Sequence, residues 1–64
     1  MGENNKLREI LRDRGVKQTW LAEKAGITYQ ALSDLVREKR TPTLGVAKRI
    51  ARALELHVED IWPE

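Results

Sequence analysis

The chain has 64 residues, of which 41% are hydrophobic and 34% charged, and it carries a net charge of +2. This length favours one domain, so we expect residues 1–64 to form a single domain. The sequence has no cysteine and one histidine, which argues against a disulfide framework and a zinc site. Because it has no long apolar run and no apolar signal segment, we expect a cytoplasmic protein that does not contact a membrane.

Charge is distributed unevenly along the chain. Six basic side chains and one acidic side chain between residues 37 and 52 give that segment a net charge of +5. Residues 53–64 contain four acidic side chains and carry a charge of −4. One interpretation is a solvated surface on which like charges happen to cluster. The other is a basic surface that binds a polyanion, with the acidic end facing away from it.

The spacing of apolar residues predicts an all-α fold class. Apolar residues recur at intervals of three and four, and runs of β-branched and aromatic residues with period two are absent. The pattern predicts five short helices. Their inward-facing residues are expected to be Leu7, Ile10 and Leu11; Leu21, Ala22 and Ala25; Ala31, Leu32 and Leu35; Leu44, Ala47, Ile50, Ala51 and Leu54; and Val58 and Ile61.

Polar residues and glycines mark the expected ends of these helices. The expected N-caps of the first, third, fourth and fifth helices are Asn4 or Asn5, Thr28, Thr43 and His57. The second helix begins at Gln18, and Lys17 before it offers a poor cap. Gly15 and Gly26 suit the left-handed position that follows a helix, and Pro42 separates the third helix from the fourth.

The connection between the second and third helices, residues 26–28, is only about three residues long. So short a connection forces the helices to cross steeply. The crossing needs a small residue at Ala22, a positive φ at Gly26 and apolar anchors at Leu32 and Leu35. The outer face of the third helix then carries side chains that suit base edges in the major groove. These side chains are Tyr29, Gln30, Ser33, Asp34 and Arg37.

Residues 18–42, QTWLAEKAGITYQALSDLVREKRTP, resemble the helix-turn-helix of the phage-repressor family (Cro/repressor, Xre-type), and the resemblance extends over residues 5–62. It implies a five-helix DNA-binding domain with the helix-turn-helix at about 18–37. The implied function is a sequence-specific transcriptional regulator, more often a repressor, that reads the major groove of double-stranded DNA with the helix 29–37. Most members bind as homodimers. The residues that the resemblance places on DNA are Gln18, Thr28, Tyr29, Gln30, Ser33, Asp34, Arg37, Lys39, Arg40 and Thr41.

The resemblance and side-chain chemistry together suggest individual roles. Gln18 resembles a glutamine that meets a phosphate and supports the recognition helix, and residues 39–41 lie in a loop that grips the DNA backbone. Gln30 offers a donor and an acceptor together, which match N7 and N6 of adenine. Asp34, which only accepts when ionised, suits N4 of cytosine, or it pairs with Arg37 within the helix.

Three positions depart from the family pattern. Glu38 stands where relatives usually have glycine, so either the loop differs in shape or Glu38 pairs with Lys39 or Arg40. Leu11 and Val36 stand where many relatives have an arginine–glutamate pair. Packed hydrophobic residues can replace a buried ion pair without loss of stability. We therefore expect Leu11 to contact Val36 in the core.

The two tryptophans allow more than one interpretation. Trp20 either packs against the N-terminal segment or contacts a partner. Trp62 either closes the core or lies on a dimer surface, where tryptophan is enriched. The segment 56–62 is the candidate for self-association because it is acidic and remote from the loop at residues 39–41, which we call the basic loop.

No catalytic residue is expected. No serine or threonine has a base partner, and the neighbouring carboxylates Glu9 and Asp13, and Glu59 and Asp60, are best explained as solvated helix faces. The chain is therefore predicted not to be an enzyme, and no metal, cofactor or small-molecule ligand is expected. The alternative function is a protein-interaction module of the same fold that binds another regulator rather than DNA. Binding to DNA should weaken steeply with salt, which distinguishes the two functions.

Overall fold

The computed structural model of the chain describes residues 5–63, which form five helices and no strand. The helices are α1 (Leu7–Arg14), α2 (Gln18–Ala25), α3 (Tyr29–Val36), α4 (Leu44–Ala53) and α5 (Val58–Ile61). The predicted all-α class and all five predicted helices are confirmed, although α3 ends at Val36, one residue earlier than expected. Within residues 5–63, no helix has both the length and the apolar character needed to cross a bilayer.

A single buried cluster connects the five helices. Helix α2 packs against both α3 and α4, while α1 packs against α3 and α5 against α4. The largest fully buried side chains are Leu7, Leu21, Leu32, Leu35, Ile50 and Ile61. Each such side chain contributes about 1.5–3 kcal/mol by leaving water. The alanines Ala22, Ala25, Ala47 and Ala51 are also buried, which lets α2 and α4 approach closely.

Leu44 is the exception among the predicted core residues of α4, because 66% of it is exposed. It is the first residue of the helix, so no preceding helical turn extends the core beneath it. Val46 points to another side of α4 and lines a small cleft with Leu35 and Pro42. The prediction that Leu44 faces inward is therefore wrong, since the core reaches Val46 and Ala47 but does not cover the first residue of α4.

The two tryptophans have different environments. Trp62 is 4% exposed and belongs to the buried cluster, so it closes the core rather than lying on the surface. Trp20 is 43% exposed, and the Lys24 ammonium lies 5.8 Å from the centre of its ring. The Trp20 ring borders a shallow groove with Gly15, Val16 and Lys17. In the described part of the chain, its neighbours are therefore the turn between α1 and α2 and the Lys24 side chain.

The starts of α3 and α4 follow the predicted capping pattern. The Thr28 hydroxyl accepts a hydrogen bond from the Ala31 N–H at 3.0 Å, and the Thr43 hydroxyl accepts one from the Val46 N–H at 3.2 Å. The N-cap of α1 is Lys6, which makes no side-chain cap, so the prediction of Asn5 at this position is wrong. Asn5 lies one residue earlier, and its Oδ1 accepts from the Leu7 N–H at 2.9 Å, whereas Asn4 lies outside the described residues. Asp60 accepts from the His57 backbone N–H at 2.9 Å. Lys17, as expected, makes no side-chain cap for α2.

Two glutamates adopt the left-handed backbone conformation that favours glycine. Glu38, after α3, has a φ of 62°, and Glu55, after α4, has a φ of 58°. A residue with a Cβ atom loses about 1–2 kcal/mol in this conformation. Both sites therefore carry backbone strain.

Relief of this strain should be measurable by chemical denaturation. We expect Glu55→Gly to raise the free energy of unfolding by about 1 kcal/mol, because glycine adopts positive φ without a Cβ penalty. Glu38→Gly should give a smaller gain, since it also removes a carboxylate that accepts a hydrogen bond from the Asn5 N–H. A lower free energy of unfolding in Glu55→Gly than in wild type would contradict the presence of backbone strain at Glu55.

Candidate nucleic-acid interface

The corner between α2 and α3 is built at Gly26, whose φ is 71°. The Ile27 N–H donates to the Ala22 carbonyl at 3.0 Å, which closes the end of α2. Thr28 then begins α3 in an extended conformation. Ala22 is buried below this corner, where α2 packs against α3, as predicted. The predicted helix-turn-helix geometry is thus present.

Helix α3 has one face in the core and one face at the surface. Leu32, Leu35 and Val36 are buried, and they hold the helix on α2 and α1. On the opposite side, Tyr29 is 52% exposed. Gln30 and Arg37 are also exposed, and Ser33 and Asp34 are half-buried. The predicted outward side chains therefore lie along one polar surface, which we call the α3 face: Tyr29, Gln30, Ser33, Asp34 and Arg37.

Asp34 forms a small polar cluster on the α3 face. Its Oδ1 accepts a hydrogen bond from Gln30 Nε2 at 3.1 Å. Its Oδ2 lies 3.5 Å from Arg40 Nη2 in an ion pair. The pairing of Asp34 with Arg37 considered from the sequence is therefore wrong, because the loop after α3 brings Arg40 to the carboxylate instead.

The loop after α3 exposes four of the predicted residues, which are Arg37, Lys39, Arg40 and Thr41. Glu38 adopts the positive φ that glycine would adopt and therefore carries the backbone strain described above. Its Oε2 accepts from the Asn5 backbone N–H at 3.1 Å. Glu38 thus keeps the backbone conformation that glycine favours, and its expected pair with Lys39 or Arg40 is wrong, because the carboxylate bonds to Asn5 instead. Since Glu38 is bound to Asn5, its negative charge is held by the N-terminal segment.

Asn5 fastens the end of α3 to the start of α1. Its Nδ2 donates to the Leu35 carbonyl at 2.8 Å, while its Oδ1 accepts from the Leu7 N–H. The bonds of Asn5 to Glu38 and to the Leu35 carbonyl connect residues that are 33 and 30 positions apart in the sequence. They fix the point at which the basic loop leaves α3.

Gln18, the first residue of α2, lies beside the end of α3. It lines a groove of about 460 Å³ together with Val36 and Arg37. Its Oε1 is buried and has no hydrogen-bond partner among the described residues. Leu11 lines the same groove and is buried with Val36 in one cluster, which agrees with the expected packing of this pair.

Two arginines that sequence reasoning missed also line this groove. Arg8 and Arg12 belong to α1 and lie beside Gln18 and Arg37. Their spacing of four residues places them on the same side of a helix, and this was the available signal. The groove thus adds positive charge from α1 to the basic loop. Within residues 5–63, no group of His, Cys, Asp or Glu side chains is arranged to hold a metal ion.

Comparison with known proteins shows that the sequence of this chain is similar to those of helix-turn-helix domains. A family model described as a Cro/C1-type HTH DNA-binding domain matches residues 6–62. The chain is 42% identical over 57 residues to an uncharacterized HTH-type transcriptional regulator of Methanothermobacter thermautotrophicus, covering 88% of this chain and 83% of the relative. It is 32% identical over 57 residues to one of Archaeoglobus fulgidus, covering 89% and 81%.

A third relative is the immunity repressor protein of Bacillus phage phi105. The identity is 31% over 64 residues, which cover 100% of this chain and 44% of the repressor. The chain therefore spans less than half of that relative. No solved structure matches the chain.

The cap at Thr28 should contribute to the stability of the helix that carries the α3 face. Thr28→Ala removes the hydroxyl that accepts from the Ala31 N–H, so we expect a loss of about 1 kcal/mol in unfolding free energy. Thr43→Ala is the matched control, since it removes the same type of cap from α4. Amide hydrogen exchange should quicken at the start of α3 only in Thr28→Ala. Equal protection at Ala31 in both variants would contradict the assignment of this cap.

Proposed function

Because this chain belongs to the family of Cro/C1-type helix-turn-helix DNA-binding domains, we propose that it binds a specific sequence in double-stranded DNA and represses transcription. The observation that carries this proposal is the polar, solvent-facing α3 face, which is held on the core by Leu32 and Leu35. The family description and the names of the relatives refer to DNA binding and regulation, not to enzymes. A cytoplasmic location is part of this proposal.

In the proposed complex, α3 enters the major groove and presents Tyr29, Gln30 and Ser33 to the base edges. This arrangement follows the docking of other helix-turn-helix domains, whose second helix lies in the groove. Thr28 lies at the start of the same surface. Contacts by the α3 face would supply discrimination among sequences, because only base edges distinguish one sequence from another.

Phosphate contacts would come from residues at the C-terminal end of α3 and in the loop that follows it. Lys39, Arg40 and Thr41 are exposed on the loop, and Arg37 is exposed at the end of the helix. Gln18 lies next to Arg37, as described above. These contacts would supply most of the affinity that does not depend on sequence.

We extend the proposed phosphate contacts to α1. Arg8 and Arg12 share a groove with Gln18 and Arg37, so a DNA strand that passes Arg37 would also pass these arginines. Their guanidinium groups suit phosphate oxygens. The proposed interface therefore includes one edge of α1 in addition to the helix-turn-helix.

Two copies are proposed to bind together on DNA. A helix of eight residues is about 12 Å long, which covers only about three to four base pairs at roughly 3.4 Å each. A second copy would double the sequence that is read, with half-sites about 34–36 Å apart. Segment 56–62 is a weaker candidate for self-association than expected, since Ile61 and Trp62 are buried in their own core. We therefore propose that pairing occurs on DNA rather than in free solution.

Selection of bound duplexes from a random pool tests this function. The full chain is mixed with duplexes of random sequence, and the retained DNA is sequenced. We expect enrichment of one sequence with two inverted half-sites. Recovery of the starting pool without enrichment, or no retention of duplex at low salt, would contradict the proposal.

The role of the loop can be tested through the salt dependence of binding. Lys39→Gln should weaken binding to all duplexes by the same factor, and it should make the slope of log K against log salt less steep by about 0.9. Lys39 is a cleaner choice than Arg40, which contacts Asp34. Arg52→Gln is the charge-matched control. Arg52 lies in the last turn of α4, at the opposite end of that helix from the basic loop, so the slope of this variant should equal that of wild type. Equal slopes for Lys39→Gln and wild type would contradict a phosphate contact at Lys39.

A further inference from the structure

We propose that Asp34 does not read a base itself but fixes the orientation of the Gln30 amide, so that Gln30 selects adenine. This inference rests on the proposed function. It starts from the polar cluster in which Asp34 joins Gln30 on one side and Arg40 on the other. Asp34 is then a positioning residue that determines specificity through its neighbour.

A glutamine amide can present its two ends in either of two orientations. Nε2 only donates hydrogen bonds, and Oε1 only accepts them. A carboxylate also only accepts, so Asp34 binds Gln30 when Nε2 faces it and repels Gln30 when Oε1 faces it. The contact of 3.1 Å between Gln30 Nε2 and Asp34 Oδ1 corresponds to the favourable orientation. Asp34 therefore selects one of the two amide orientations before DNA arrives.

The selected orientation matches adenine. Nε2 carries two hydrogens, and Asp34 takes only one of them, so the second remains for a base. Oε1 of Gln30 accepts no hydrogen bond among the described residues. In the major groove, adenine presents an acceptor at N7 and a donor at N6, whereas guanine presents acceptors at both N7 and O6. Gln30 held in this way can bond both groups of adenine. With guanine, its Oε1 would face O6, and two acceptors cannot form a hydrogen bond.

Arg40 holds the carboxylate in place. Its Nη2 lies 3.5 Å from Asp34 Oδ2, on the oxygen that Gln30 does not use. The Asp34 side chain is only 21% exposed, so it has less freedom to turn toward a base than a fully solvated residue. The positive charge of Arg40 also offsets a carboxylate that would otherwise repel the DNA backbone. With both oxygens engaged, Asp34 is better placed to orient Gln30 than to accept from cytosine.

The test compares base preferences of Gln30→Ala, Asp34→Asn and the double variant with those of wild type. Asparagine has the shape of aspartate but can turn its NH2 group toward Gln30 Oε1, so it allows both amide orientations. The readout is binding to the selected duplex and to each of its single base-pair substitutions. Melting temperatures confirm that the variants fold. Glu59→Gln, which removes one negative charge on α5, is the charge-matched control and should leave every preference unchanged.

We expect wild type to require adenine at one position of each half-site, and Gln30→Ala to lose that preference by about 5- to 150-fold, which corresponds to roughly 1–3 kcal/mol. Asp34→Asn should reduce the preference for adenine over guanine at the same position several-fold. The double variant should resemble Gln30→Ala, because Asp34 acts only through Gln30.

Two results would overturn the inference while leaving the proposed function intact. In one, Asp34→Asn changes the preference at a different base pair, where wild type selects cytosine, which would make Asp34 a direct reader. In the other, Asp34→Asn leaves all preferences as in wild type. Absence of duplex binding by wild type would instead overturn the proposed function, and this inference with it.

Discussion

The left-handed backbone at Gly26 is the constraint on which the rest of the structure depends. It ends α2 directly after Ala25 and lets α3 start only three residues later. Because the connection is so short, the inner faces of the two helices pack against each other, and Ala22 on α2 and Leu32 on α3 are both buried. The other side of α3 is then left in solvent with its polar side chains. A longer connection would let α3 rotate or lie flat, and the same side chains would lose their common direction.

The placement of acidic side chains is consistent with this use of α3. Two of the carboxylates next to the basic loop have partners within the protein. Glu38 is bound by the Asn5 N–H, and Asp34 contacts Gln30 and Arg40. The carboxylates of α5 lie at the other end of the sequence, where Asp60 caps its own helix. Negative charge near α3 is therefore held in hydrogen bonds, while Lys39 stays exposed. This separation favours a polyanion at the loop.

The sequence predicts what depends on local rules. Helix ends follow from residues such as Thr28, Thr43 and Gly26, whose effects act within a few positions. The buried residues follow from spacing, because a helix repeats its inner face every three to four residues. Leu44 shows the limit of this rule, since spacing gives the direction of a side chain but not whether the core extends far enough to cover it.

The site was less predictable where partners come from distant parts of the chain. Glu38 bonds to Asn5, 33 positions away, and no spacing rule links two such residues. Arg40 reaches Asp34 only because the loop turns back after α3. The groove that gathers Arg8 and Arg12 beside Gln18 depends on the packing of α1 against α3. In each case the sequence shows the residue types, but their contact depends on how the folded helices and loops pack together.

We propose that the corner at Gly26 presents one face of α3 to DNA while the other face stays in the core. Titration of isotope-labelled protein with a selected duplex, followed by NMR, tests it directly. We expect the backbone amide signals of residues 28 to 41 and of the edge of α1 to shift, and the signals of α5 to remain in place. Shifts concentrated in α5, with the signals of α3 unchanged, would contradict it.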